Sequence, residues 1–297
     1  MSSLRYSSML ATLKFLSDLP LYDLEKPYEL CGFPEVPQSN RTNFQFTNHD
    51  NIKLEDVRGQ EKTCSIDSHG FAFVSHASSL DLKSQYFERQ TRDEAIVTKY
   101  LQECIELVKR EMRVNRVVCI DWRLRRNFAE RKTIYEDDSR YFAIPPASVM
   151  HCDFSEEGGR NKLTVHLPPE EVTELTKKGR RVQFFNVWRP LLPVENAPLV
   201  LCDRRSVRRS DLLEADKVSP GLIERDYFVK YDAGQKWYWL SNQRPDEVTI
   251  FKSWDSCNEA STADCAPHGS ATIPVSESIS RPRESLEVRL IALFNED

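Results

Sequence analysis

The sequence predicts a mainly β fold with flanking helices, a β-sandwich or jelly roll. Many short segments rich in Val, Ile, Phe, Tyr and Trp are bounded by Gly, Pro, Asn or Asp. Only two stretches carry helical signals, and no internal repeat interrupts the pattern. Residues 1–60 hold prolines at 20, 27, 34 and 37 and read as an irregular, ordered N-terminal wrap, since Tyr6, Phe15, Tyr22 and Tyr28 need burial. A first strand is expected over 65–75. Over 93–112 the apolar set Ile96, Tyr100, Cys104, Leu107, Val108 and Met112 recurs at steps of three and four and predicts a helix. Strands are expected over 116–125 and 149–154. A second helix is expected over 169–178: Pro169 opens it, Glu170 and Glu171 fill its first turn, Lys177 and Lys178 its last, and Gly179 follows. The remaining strands are placed at 181–188, 227–231, 237–240, 248–254 and 286–294. Residues 255–280 form the least regular part of the C-terminal half, and His268 lies inside them.

A chain of 297 residues, 40% hydrophobic and 10% aromatic, can bury a substantial core as one domain spanning 1–297. The net charge of −5 and pI near 5.8 give no basic footprint for nucleic acid. No run of eighteen apolar residues predicts a membrane span. The first twenty residues are broken by Ser7, Ser8, Thr12, Lys14 and Ser17 and make a poor secretory segment. Eight cysteines without a CxxC pair read as reduced thiols, so a cytoplasmic location is expected. The oligomeric state is left open, a homodimer being one option.

The chemistry concentrates in two distant segments. In Met150-His151-Cys152-Asp153 a strand would turn His151 and Asp153 to one face and Cys152 to the other. Two imidazoles and a carboxylate can hold iron(II) and leave positions open. Among six histidines, His268 is the best third ligand, because it precedes a final strand that can lie beside the first in a closed jelly roll. An isolated His-x-Asp is more often a surface or hydrogen-bonding pair. A zinc site on Cys257, Cys265 and His268 would lack a second tight ligand pair. Arg283 and Ser285 share a face at the opening of the last strand, where a guanidinium and a hydroxyl can bind a carboxylate. Arg281 and Arg289 compete for that role.

Asn186-Val187-Trp188-Arg189-Pro190-Leu191 and Arg283-Glu284-Ser285-Leu286-Glu287-Val288-Arg289 are specific stretches. With Arg41-Thr42-Asn43, Asp56-Val57-Arg58-Gly59, His151-Cys152-Asp153, Leu201-Cys202-Asp203, Trp237-Tyr238-Trp239 and Pro267-His268, they run through nearly the whole chain. In these stretches the sequence resembles the fungal hydroxylase/desaturase family of non-haem iron oxygenases. The resemblance implies a double-stranded β-helix with its core at about 140–295 and Fe(II) on His151, Asp153 and His268. It also implies 2-oxoglutarate on Arg283 and consumption of O2. The expected substrate is a small secondary-metabolite or amino-acid-derived molecule, oxidised at an unactivated C–H bond by hydroxylation, desaturation, cyclisation or endoperoxidation. The sequence departs from the family where Trp122 follows Asp121 and between His268 and Arg283. Asn186, Trp188, Trp122 and Trp239 are the candidate pocket residues. Competing readings are a non-catalytic jelly-roll binding protein and a zinc-dependent hydrolase or isomerase on the same three ligands.

Overall fold

The computed structural model describes residues 7–127, 143–176, 180–257, 259, 261–274 and 281–294. In chain order the elements are β1 (Ser7–Leu16), β2 (Tyr28–Leu30), β3 (Phe46–Asp56), β4 (Phe71–Ser75), α1 (Glu94–Met112), β5 (Arg116–Arg126), β6 (His151–Cys152), α2 (Glu156–His166) and α3 (Pro169–Leu175). They continue with β7 (Val182–Pro190), β8 (Leu199–Cys202), β9 (Leu212–Ser219), β10 (Leu222–Val229), β11 (Trp237–Trp239), β12 (Glu247–Asp255), β13 (His268–Ser270) and β14 (Glu284–Leu293). A nine-stranded sheet runs β1-β3-β11-β8-β13-β6-β10-β9-β2, and a five-stranded sheet runs β4-β12-β7-β14-β5. The two sheets form a jelly roll with helices packed outside, as expected.

Helix α1 starts where Asp93 accepts the amide N–H groups of Ala95 and Ile96, and it ends at Arg113 in the left-handed region (φ 55°). Its buried stripe of Val97, Tyr100, Cys104, Leu107 and Val108 packs on the outer face of the five-stranded sheet, against Val187, Ile250 and Val288. Helix α3 begins at Pro169 as expected; Lys177, Lys178 and Gly179 lie outside the described residues, as does Tyr6.

Several expectations are corrected. Within the segment expected to be irregular, residues 7–60 are not: β1 and β3 pair antiparallel along their lengths and extend the large sheet. The strand expected at 65–75 begins only at Phe71. The strand expected at 149–154 shortens to His151–Cys152. Helix α2 was not expected, because Gly158 and Gly159 disfavour a helix. Ser155 caps it by accepting the Gly158 N–H. A Cβ on Gly158 would lie 2.0 Å from the Arg225 carbonyl oxygen, so only glycine lets α2 sit this close to β10.

Between the sheets, Phe71, Trp188, Leu199, Leu201, Tyr238 and Phe251 fill one end. Phe154, Leu163, Leu175, Phe184, Trp254 and Ile291 close the other, beneath α2 and α3. The candidate site lies between these two apolar plugs. Near it, Lys252 is fully buried and donates to Asp255 Oδ2 (2.7 Å) and to the Ala263 carbonyl (2.7 Å). Asp255 also accepts from Arg181 and Gln183. Asp255→Ala strands the Lys252 ammonium in the core and is expected to cost about 3–5 kcal/mol. Urea unfolding checks this, and an unchanged midpoint would refute it.

All eight cysteines are free thiols. Among the described residues no helix is long and apolar enough to cross a membrane.

Candidate metal centre

His151 and His268 face each other across paired strands, since β13 pairs with β6 with His268 opposite His151. Their ring centroids are 4.4 Å apart. Asp153 follows β6, and its Oδ1 lies 3.6 Å from His151 Nε2. All three are buried. Among the described residues, these three form the one group of His, Cys, Asp or Glu side chains able to hold a metal ion. The zinc alternative on Cys257 and Cys265 is not assembled; the Cys265 thiol abuts Cys152 instead, at 3.2 Å.

The three donors are oriented by neighbours. His151 Nδ1 lies 2.9 Å from the Val149 carbonyl, and His268 Nδ1 lies 3.0 Å from that of Ala266. A carbonyl only accepts, so both Nδ1 atoms carry the proton and both Nε2 lone pairs are free for a metal. Burial, then the adjacent His151, pushes the His268 imidazole down to about 4. Phe251 packs on the His268 ring at 4.4 Å. Asp153 Oδ2 accepts from Asn186 (2.6 Å) and Oδ1 accepts from Arg289 (2.9 Å). Burial alone would raise the Asp153 carboxyl, but the Arg289 guanidinium and the two imidazoles hold it well below the usual carboxylate range.

A small cavity of about 20 Å³ is lined by His268 at the metal centre and by Arg283, with Arg125, Trp188, Phe251, Ser270 and Glu287 also on its walls. Arg283 is buried, donates to the Ala197 carbonyl (2.6 Å) and lies over the Trp188 ring (5.4 Å). Among the described residues its Nε and the Ser285 hydroxyl have no partner. Burial, then the nearby Arg125, brings the Arg283 guanidinium down to about 9, so it stays charged at neutral pH. Arg125 is paired with Glu287, and Glu287 with Arg289. Burial would raise Glu287, but these two guanidiniums hold it down to about 2. The competitors of Arg283 are engaged elsewhere: exposed Arg281 with Glu195, and Arg289 with Asp153.

The pocket candidates divide. Trp188 lines the cavity beneath Arg283. Asn186 faces inward, but its amide holds Asp153 rather than lining open space. Trp122 is opposite Val288 in register and packs on Phe87 in the α1 cluster, so it lies on the far face of β5. Trp239 likewise sits in a core cluster with Trp237 and Cys202, while its neighbour Tyr238 faces the cluster around Trp188 and Phe251. Both tryptophans have the wrong strand parity for the cavity. Arg289 and Ser253 were missed as partners of Asp153. Arg289 faces inward as its parity with Arg283 indicates, but it holds Asp153 instead of competing for a co-substrate.

This donor set fits a six-coordinate iron(II) with open positions better than a closed structural zinc site, and the unpartnered Arg283 Nε and Ser285 hydroxyl suit an acidic co-substrate. Fold and site together define a mononuclear non-haem iron enzyme. A family model described as an oxidoreductase/YMDC permease-like domain matches residues 13–293. The Fe(II)/2-oxoglutarate-dependent dioxygenase nvfI of Aspergillus novofumigatus is 31% identical over 263 residues, covering 86% of this chain and 87% of its own. The hydroxylase/desaturase CTB9 of Cercospora beticola is 28% identical over 303 residues, covering 95% and 90%. The solved structure of the iron and alpha-ketoglutarate-dependent endoperoxidase NvfI superposes with a TM-score of 0.79 at 28% identity, over 98% of this chain and 99% of that one. The chain belongs to the fungal Fe(II)/2-oxoglutarate-dependent dioxygenases. It is an oxidoreductase that uses Fe(II), 2-oxoglutarate and O2.

Proposed function

We propose that residues 1–297 act as one oxygenase domain, with iron on His151, Asp153 and His268 and 2-oxoglutarate held by Arg283 and Ser285. The substrate is a small secondary-metabolite or amino-acid-derived molecule, oxidised at an unactivated C–H bond. One observation carries the reading: His268 of a buried His-Asp-His cluster and a buried arginine with no ion pair among the described residues line one cavity. The relatives' names, which include an endoperoxidase and hydroxylase/desaturases, support this reaction class.

When bound, iron and 2-oxoglutarate supply O2 activation coupled to oxidative decarboxylation, with succinate and CO2 as products. The chain supplies position. Asn186 and Arg289 each hold one oxygen of Asp153, which fixes the carboxylate plane before metal arrives. The Val149 and Ala266 carbonyls fix both imidazole tautomers. Arg283 and Ser285 fix the distal carboxylate of the co-substrate, with Trp188 as a floor under the guanidinium. Which C–H bond meets the metal, and whether it is hydroxylated, desaturated, cyclised or endoperoxidised, follows from substrate placement. The free thiols fit work in the cytoplasm, and the acidic chain fits a small-molecule partner rather than nucleic acid or membrane.

Incubation with Fe(II), ascorbate, O2 and 2-oxoglutarate is expected to yield succinate. A protein that binds iron but forms none would sink the proposal. Asn186→Ala is expected to weaken Fe(II) binding by roughly 10–100-fold through loss of an outer partner of Asp153. Anaerobic metal titration measures this; unchanged affinity would reduce Asn186 to a core residue.

A further inference from the structure

Solvent reaches the neighbourhood of the metal centre beside Arg289. The Arg289 side chain is 20% exposed although its Nη2 touches Asp153, whose own side chain is 4% exposed. Solvent therefore reaches the immediate neighbour of a candidate metal ligand. On one side of this opening stands β5, the edge of the five-stranded sheet. Its inward residues Asp121 and Arg123 lie opposite Arg289 and Glu287 in register. On the other side is β10. Phe228 pairs with His151, so Asp226, two residues before it, shares the His151 face. Lys217 from β9 donates to Asp226 at 2.6 Å.

The rim is thus built from charges rather than aromatics. An apolar surface pressed onto it would strip water from five charged groups without replacing their contacts, which is costly. Arg123 and Arg289 share Asp121, at 2.7 and 3.7 Å, and Lys217 occupies Asp226. Glu287 lies 3.0 Å from Arg289, so Arg289 has two carboxylates besides Asp153, while Arg123 has only its share of Asp121. Arg123 uses only Nη1, towards Asp121 and the Trp122 carbonyl. Among the described residues its Nε and Nη2 have no partner, and they form a partly exposed fork of the kind that binds a carboxylate through two parallel bonds.

We infer that the substrate is a carboxylic acid and that Arg123 is the specificity-determining residue that receives its carboxylate at the mouth of the site. The inference rests on the proposed oxygenase function and narrows its substrate class. The test uses protein loaded with Fe(II) and 2-oxoglutarate. Its probes are matched acid and methyl-ester pairs of graded size, such as 1-naphthoic acid and abietic acid with their esters. Binding is followed by anaerobic calorimetry, and turnover by substrate-stimulated succinate release. At least one acid is expected to bind roughly 10–100-fold more tightly than its ester, the scale of a hydrogen-bonded charge pair. Arg123→Met should erase that preference, and Arg123→Lys should restore part of it. A panel in which no acid outranks its ester, or an equal preference in Arg123→Met, overturns the inference. Succinate release by the unsubstituted protein without any probe tests the oxygenase reading separately, so the two failures are distinguishable.

Discussion

The His268→Ala protein is expected to lose Fe(II) binding and, with it, 2-oxoglutarate turnover. His268 is the only one of the three donors contributed by β13; the other two lie on β6 and directly after it. Removing it leaves two adjacent donors on one short segment, unable to define a face of an octahedron. Loss of an outer partner of a metal ligand costs roughly 10–100-fold in affinity, and loss of the ligand itself exceeds that range. The substitution also empties space against Phe251, so a second variant, His268→Gln, keeps the volume while removing the imidazole donor. Both are read by anaerobic metal titration alongside a thermal melt. Retention of full iron affinity by both folded variants would remove His268 from the ligand set.

Arg283→Met should separate the two halves of the site. The substitution keeps length and apolar stem but deletes the guanidinium. Truncating one partner of a buried hydrogen-bonded charge pair costs about 2–5 kcal/mol, so 2-oxoglutarate affinity should fall by roughly 30- to several-thousand-fold. Iron affinity should hold, because none of the three donors contacts Arg283. A second effect has the opposite sign. In the protein without co-substrate, Arg283 is a buried cation without an ion pair among the described residues, and such a group is destabilising. The co-substrate-free variant should therefore melt no lower than the unsubstituted protein, while losing the stabilisation that 2-oxoglutarate confers. Unchanged co-substrate affinity would remove Arg283 from its proposed role.

The candidate site was more legible in the sequence than the framework around it. Alternation alone put His151 with Asp153 and Arg283 with Ser285, and both pairs face the space between the sheets. It did not locate Trp122, chosen because the sequence departs from the family there, or Trp239, chosen for residue type, and both turn the other way. Strands β1 and β3 were hidden because many of their exposed positions are polar and the prolines at 20, 27, 34 and 37 lie between them. Their order comes from pairing with each other and with β11, a long-range effect. Helix α2 was hidden for the reverse reason. Its two glycines argue against a helix locally, yet the contact with β10 requires one of them. The fixing of Asp153 by Asn186 and Arg289 required three segments to meet, which no local pattern displays.

One stretch of chain, from Arg283 through β14, carries Arg283, Ser285, Glu287 and Arg289 at every second position, reaching from the proposed co-substrate cavity to the carboxylate of Asp153. These four roles are therefore inherited together. A point substitution alters one of them, but a single-residue insertion or deletion inside this stretch would reverse the facing of every residue beyond it. Lineages of this enzyme can explore new chemistry by exchanging side chains at the rim and by lengthening loops. The spacing of this last strand is closed to them.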